Sequence, residues 1–347
     1  MVNALPPDPP DFDESEDEPT IFDDIRIVDF TSGIAGPYAT MFLADHGADV
    51  IKVESPGGDP YRVSPGFETF NRGKRSVVLD PTSDSGRNRT QFLARSADVV
   101  VVDVPEGRAM ARGLDEAALR EANPSLIYVT MPPFGERGPF VDRPSSPALI
   151  AAVSGIMADQ ASYSGDPTYL VLPLASYGSA AMGAAAIAGG LYARERWGLG
   201  QRLEVSQLAG AAALQIGGVT SDQVPALPGG PSPMGSKGFI PVYRLFQAGD
   251  DLWFFVACGT PDFFNRLLIA FGQAELAGDP RVEGAPWGLI SEESRELLVP
   301  LLEDAFRSQN RDYWLGRLQE YEVPAQPVQT RDEYFDSHTV AANDMRI

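Results

Sequence analysis

The sequence predicts an α/β protein: a doubly wound, mostly parallel sheet in a large domain, followed by a smaller α+β domain. Three observations carry that expectation. Short β-branched runs alternate with helical patterns over the first 130 or so residues, which is how a parallel sheet covered on both faces reads. A Pro/Gly-rich stretch, residues 217–238, then interrupts the pattern, as a linker does. Beyond it, two apolar runs flank a Gly249-Asp250-Asp251 turn, which reads as a hairpin in a second unit.

Taken in order, residues 1–24 hold nine acidic side chains and no Lys or Arg, so they predict a disordered acidic tail. The first strand is Ile25–Phe30. It is followed by Gly33, Gly36 and Pro37 and a helix over Tyr38–His46, the proline suiting a first helical turn. Further strands are predicted at Val50–Glu54, Ser76–Leu79, Val99–Val102 and Leu126–Val129, with helices at Gly86–Ser96 and Glu116–Ala122. The loops after Phe30, Glu54, Leu79 and Val102 should meet in one crevice, since open parallel sheets bind ligands at the carboxyl ends of their strands. Gly33-Ile34-Ala35-Gly36 lacks the GxGxxG spacing of a dinucleotide site.

Helices are expected at Ala148–Ala158 and Tyr177–Arg196. In the latter, Gly178, Gly183, Gly189 and Gly190 are costly unless a neighbour packs close. A strand at Arg202–Ser206 and a helix at Gln207–Ile216 complete the large domain, residues 25–216. The small domain, 239–330, should contain the strands Tyr243–Phe246 and Leu252–Cys258, helices at Asp262–Phe271 and Glu292–Phe306, and a late strand at Gln326–Gln329; in the second helix Leu297, Leu301 and Leu302 sit at helical spacing. Residues 331–347 form a C-terminal segment.

Composition narrows the function. A net charge of −21 with no basic stripe argues against nucleic acid as a partner. The weakly polar run Ala180–Ala193 is short for a bilayer span and built from Ala and Gly, so no membrane segment is expected. The N-terminus has no secretory pattern, and a single cysteine, Cys258, fits a cytoplasmic protein with a buried structural thiol. No metal site is predicted.

Several stretches together resemble the class III CoA-transferases, the CaiB/BaiF or carnitine dehydratase group. They are Val28-Asp29-Phe30 leading to Ala35–Thr40, Leu43–Glu54, Asn71–Ser76, Ala97-Asp98-Val99, Asn123–Tyr128, Phe134–Pro139, Arg194–Gln201 and Val323–Val328, in order along the chain. The resemblance implies a large Rossmann-like domain, a small domain, a dimer of interlinked chains, and coenzyme A or acyl-CoA held on the large domain. It also implies chemistry in which an aspartate attacks an acyl-CoA thioester, a carboxylate being nucleophilic at neutral pH. Under it, Gly33, Ile34, Ala35, Asp80, Asp103 and Val104 would wall the nucleotide and pantetheine. Lys74 and Arg75 would reach phosphates or serve structural or solvated roles, and Arg112 stands beside a second basic position, filled here by Ala111.

The chain departs from that pattern at the nucleophile. Counting back from Gly198-Leu199-Gly200-Gln201, the aspartate position falls on Ser176, and a serine needs a neighbouring base to attack a thioester. His46 and His338 read as helix-end or surface residues. The histidine of the racemase branch is replaced by Ser145-Ser146-Pro147, and a basic position after Glu54 is Ser55. The sequence also stops at Ile347, where the family pattern continues.

The leading expectation is therefore a non-catalytic subunit with a degenerate active site, paired in a hetero-oligomer with a homologous chain that keeps the aspartate; a self-dimer is the other partner expectation. Two alternatives stand beside it. One is a self-sufficient acyl-CoA lyase, racemase or hydrolase using Asp103 or Asp159, and the other is a binding protein without CoA chemistry.

Overall fold

The computed structural model describes residues 20–159, 166–215, 237–238 and 240–345; the side chain of Asp159 and the predicted linker up to residue 236 lie outside the described residues. The chain divides into two compact units, with boundaries at Met157/Ala158, Thr168/Tyr169 and Val219/Thr220.

The first unit is built on six parallel strands: β1 (Arg26–Asp29), β2 (Asp49–Glu54), β3 (Arg75–Val78), β4 (Val99–Val102), β5 (Ile127–Thr130) and β6 (Arg202–Glu204). They lie in the order β3-β2-β1-β4-β5-β6, with Val28 opposite both Ile51 and Val100. The direction of travel across the sheet reverses between β1 and β4, so their carboxyl ends open a crevice there.

Side-chain alternation explains why both faces are covered. Val99 and Val101 of β4 face one core with Ile27, Val50 and Ile127, while Val100 and Val102 face another with Val28 and Tyr128. Helices α1 (Ala35–Ala44) and α8 (Leu174–Trp197) cover the first core; α3 (Asp84–Arg95), α4 (Glu106–Ala111) and α5 (Glu116–Ala122) flank the second. All four β4 valines are buried, as expected of a central parallel strand.

Order begins earlier than the sequence indicates. Residues 20–24 form a turn in which the Phe22 N–H donates to the His46 carbonyl at 3.0 Å, and Phe22 packs partly onto the α1 core. The helical pattern predicted at Ala148–Ala158 is two helices, α6 (Pro147–Val153) and α7 (Ile156–Asp159), because Gly155 between them has φ = +90°. Helix α2 (Gly66–Asn71) and α4 escape the sequence reading, being under two turns long.

Helix α8 is 24 residues, longer than the run judged by composition, and is the one described helix long and apolar enough to cross a membrane. In this fold it is a core element: Ala180, Ile187 and Leu191 pack into the sheet's first core. Its glycines mostly meet the expectation of close neighbours. A Cβ on Gly178 would sit 2.7 Å from the Gly210 carbonyl oxygen of α9 (Gln207–Leu214), and one on Gly210 would sit 2.3 Å from the Ser179 nitrogen. Gly189, by contrast, faces open space. The two helices thus touch backbone to backbone, which only glycine allows.

The second unit holds an antiparallel sheet, β7 (Tyr243–Gln247), β8 (Trp253–Ala257) and β9 (Ala325–Pro327), in that order, so the predicted hairpin and late strand form. Around it lie α10 (Pro261–Ala270), α11 (Glu292–Arg307), α12 (Arg311–Glu320) and the short α13 (Arg331–Phe335) and α14 (His338–Ala342). The buried stripe of α11 is Leu298, Leu302 and Phe306; of the three leucines the sequence emphasised, Leu302 is fully buried, while Leu297 and Leu301 flank the stripe half-buried. Phe306 is the hub, with ring centroids of Phe246, Phe254, Phe271 and Trp314 between 4.6 and 5.1 Å away. Cys258 is buried in this core, and burial pushes its thiol up to about 12, so it is inert.

Candidate functional site

The carboxyl end of β1 is fixed by a buried charge cluster. Asp29 is fully buried and accepts hydrogen bonds from the Thr31 N–H (2.9 Å), the Thr31 hydroxyl and the Thr40 hydroxyl (2.8 Å). Lys74 pairs with it at 3.0 Å, and Lys52, on β2, donates to the Thr31 carbonyl at 2.9 Å while pairing with Asp59 at 2.9 Å. Burial alone would raise the Asp29 carboxyl, but Lys74, Lys52 and the Thr31 donors outweigh it and hold Asp29 far below the usual carboxylate range. Next to this cluster, Glu54 accepts a bidentate pair from Arg62 (2.6 Å each), the Ser76 hydroxyl and the Asp59 N–H; led by the Arg62 bonds, these bring its carboxyl down to about 2.

Two adjoining cavities open at the carboxyl edge. The first, about 340 Å³, lies against the ends of β1, β2 and β4, with Phe30, Val53 and Leu79 as apolar wall and Ser55, Arg108 and Arg112 as polar groups. The second, about 310 Å³, lies between the loop after β1 and the start of α8, and reaches Gly33, Ile34, Tyr61, Arg143, Ser176 and Gln207. Ser32, Asp103, Val104 and Arg108 line both, so the cavities form one groove across the β1/β4 switch. Asp103 accepts the Ser32 N–H at 2.7 Å and its hydroxyl at 3.1 Å; burial nevertheless raises its carboxyl above the ordinary value.

Of the residues singled out from the sequence, Gly33, Ile34, Asp103, Val104, Arg112 and Ser176 do converge on this groove. The others do not. Ala35 opens α1 and is buried in the sheet core. Lys74 spends its three donors on Asp29, the Pro37 carbonyl (2.7 Å) and Asn71 Oδ1 (3.1 Å), leaving none for a phosphate. Arg75 begins β3 and pairs with Asp49, the first residue of β2, which Arg26 of β1 also meets at 2.9 Å. That places Arg75 at the amino ends of the strands, the wrong edge of a parallel sheet for ligand. Asp80 receives the Thr82 N–H (2.9 Å) and hydroxyl (2.6 Å) and so caps its own turn, in neither cavity.

Arg108, Gln207 and Arg143 also line the groove and were not singled out from the sequence as site residues. Arg108 and Arg112 lie one helical turn apart along α4 and its cap, exposed, and neither makes an ion pair among the described residues. That i, i+4 spacing was the available signal. Ser176 occupies the first turn of α8 and is 1% exposed. Its hydroxyl donates to Gln207 Oε1 at 3.0 Å, a contact set by the Gly178/Gly210 crossing and by the Ser206 cap that starts α9. An amide oxygen accepts that hydrogen without removing it, so Ser176 has no base among the described residues. Neither histidine is among the residues lining the groove: His46 Nδ1 lies 2.6 Å from the Phe42 carbonyl at the end of α1, and His338, in the second unit, is exposed at the start of α14.

A family model for CoA-transferase family III matches residues 22–347. The chain belongs to that family. Curated relatives include an acetyl-CoA:oxalate CoA-transferase of Acetobacter aceti, 31% identical over 94% of this chain and 85% of the relative. A succinyl-CoA:mesaconate CoA-transferase of Haloarcula hispanica is 32% identical over 93% and 84%. Among solved structures, a CaiB/BaiF family protein of Brucella suis superposes with a TM-score of 0.79 at 29% identity, covering 95% of this chain and 89% of that one. A protein of Mycobacterium tuberculosis superposes at 0.80 with 29% identity, over 94% and 87%. As a family III CoA-transferase, the protein acts in acyl-CoA chemistry.

Proposed function

We propose that this chain is the non-catalytic subunit of a hetero-oligomeric, cytoplasmic family III CoA-transferase, binding acyl-CoA while a homologous chain supplies the nucleophilic aspartate. The observation that carries the proposal is Ser176 itself: buried at the head of α8, hydrogen-bonded to a neutral amide and without a base among the described residues. Asp103, the one carboxylate among the described residues that lines the cavity beside it, is engaged by Ser32, while that hydroxyl bonds Gln207 instead.

On this reading, the first cavity takes the nucleotide, with Arg108 and Arg112 facing its phosphates, and the pantetheine arm passes Val104 toward Ser176. The test is CoA transfer by the purified chain, alone and mixed with an aspartate-bearing paralogue. Turnover only in the mixture is the expected result; equal turnover by the isolated chain overturns the proposal. Ser176→Asp places a carboxylate beside Gln207 and is expected to give measurable transfer in the isolated chain wherever CoA is bound.

A second reading has one observation in its favour. Asp103 stands where the two cavities join, and burial raises its carboxyl above the ordinary value, as a position for proton transfer requires. A self-sufficient enzyme would then exchange the proton alpha to the thioester carbonyl. Deuterium incorporation into acyl-CoA by the isolated chain, lost in Asp103→Asn, would establish it; no incorporation rejects it.

A further inference from the structure

From the place of Asp103 in the groove we infer that this chain takes up acyl-CoA together with a proton, held on that carboxyl group, an inference that rests on the reading of the groove as an acyl-CoA site. Asp103 directly follows β4 and lines both cavities. Its two oxygens are treated differently. Oδ2 accepts the Ser32 N–H at 2.7 Å and the Ser32 hydroxyl at 3.1 Å, whereas Oδ1 has no donor among the described residues and is not sealed in, so it opens on the groove.

The charges around Asp103 decide what filling the groove does to it. From β1, Asp29 faces it with like charge; from β2, Lys52 faces it with opposite charge. Both are already neutralised, Asp29 by Lys74 at 3.0 Å and Lys52 by Asp59 at 2.9 Å, as Glu54 in the outer cavity is by Arg62. The remaining charges are those of Arg108 and Arg112 on α4 and its cap and of Arg143 in the inner cavity, where Tyr61 is the other titratable side chain. Burial already holds the Asp103 carboxyl above the ordinary aspartate value.

A ligand moves this balance in one direction. The pantetheine arm displaces water from Oδ1, while the phosphates of CoA bring negative charge and occupy the arginines that favour an ionised Asp103. Both changes favour the neutral acid. Protonated, Oδ1 becomes a donor, and the amide carbonyls of the arm and the thioester carbonyl are acceptors for it. An ionised Asp103 persists only if an amide N–H of the arm bonds Oδ1 instead. Because the carboxyl value rises on binding, affinity is level in acid, where free and bound states both hold the proton, and falls by up to about tenfold per pH unit between the free and bound values.

The test is calorimetry of acetyl-CoA binding to the purified chain from about pH 5 to about pH 8, in pairs of buffers with unlike ionisation enthalpies, which counts protons taken up. Asp103→Asn is the companion variant. Its amide oxygen can keep both Ser32 donors while its N–H groups face the groove as fixed donors, and the ligand's own phosphate titrates alike in both proteins. The unaltered chain is expected to take up more protons than the variant, by close to one, and the variant to bind about 10-fold or more tighter at the alkaline end, with the two converging toward acid. Acetyl-dephospho-CoA, which lacks the phosphomonoester that titrates near 6, reads the unaltered chain by itself. Equal proton counts in the two proteins, or no uptake with the dephospho ligand, overturn the inference and leave the acyl-CoA site standing. Binding of neither ligand at any pH overturns the acyl-CoA reading and this inference with it.

Discussion

Two pairs of cations at the carboxyl edge of the sheet act in opposite ways. Lys52 and Lys74 are sealed inside the sheet edge, each satisfied by a carboxylate and a backbone carbonyl, with side chains no more than 2% exposed. Arg108 and Arg112 stand in the open at the groove, without ion pairs among the described residues. The buried pair holds the site's shape, and the exposed pair is free to meet a ligand. Burial, which is the property that makes a charge visible to stability, is what removes it from binding.

That contrast can be broken most forcefully at Lys74. Lys74→Met leaves buried Asp29 with only Lys52 and the threonine donors to offset its charge, so it should cost about 3 kcal/mol, read as a shift in the denaturant midpoint. A loss below about 1 kcal/mol would place Lys74 among the ligand-facing cations after all.

Acid probes the same cluster from the carboxylate side. Asp29 and Glu54 both have depressed folded-state values, so the stability they supply is complete above the unfolded carboxylate range and lost as pH falls through the folded values. Glu54, brought from 4.5 to about 2, contributes on the order of 3 kcal/mol that disappears between those two values. Urea midpoints should be flat from neutral pH to about 5 and fall steeply below 4.5, and Glu54→Gln should flatten that limb.

Smaller effects are expected at the exposed group. Arg108→Ala combined with Arg112→Ala should weaken CoA binding by about 10- to 100-fold with little change in stability, and the remaining affinity should depend less on salt. Calorimetry at two ionic strengths reads both. Arg75→Ala, at the far edge of the sheet with a largely exposed side chain, should move stability by no more than about 0.5 kcal/mol and leave CoA affinity unchanged. A binding loss there would reverse the assignment of the two sheet edges.

The sheet was legible because a strand buried on both faces must be continuous in Val and Ile, as Val99–Val102 is, and because the loops at its carboxyl edge follow from strand order alone. Ser176 could be placed by counting from Gly198–Gln201. The partners of the charges could not. Nothing local in the sequence tells that Lys74 folds back onto Asp29, 45 positions away, or that Gln207 reaches Ser176 across a glycine crossing. Short helices such as α4 carry too few turns for periodicity to register, which hid Arg108 until the backbone placed it.

One feature of the buried cluster bears on how quickly the groove can be filled. Thr31 is clamped at its nitrogen and hydroxyl by Asp29 and at its carbonyl by Lys52, and the next residue, Ser32, is tied to Asp103. The loop between the two cavities therefore has its backbone set before any ligand arrives. Association should then proceed in one kinetic phase, its rate linear in ligand concentration, without a slower step for ordering the wall.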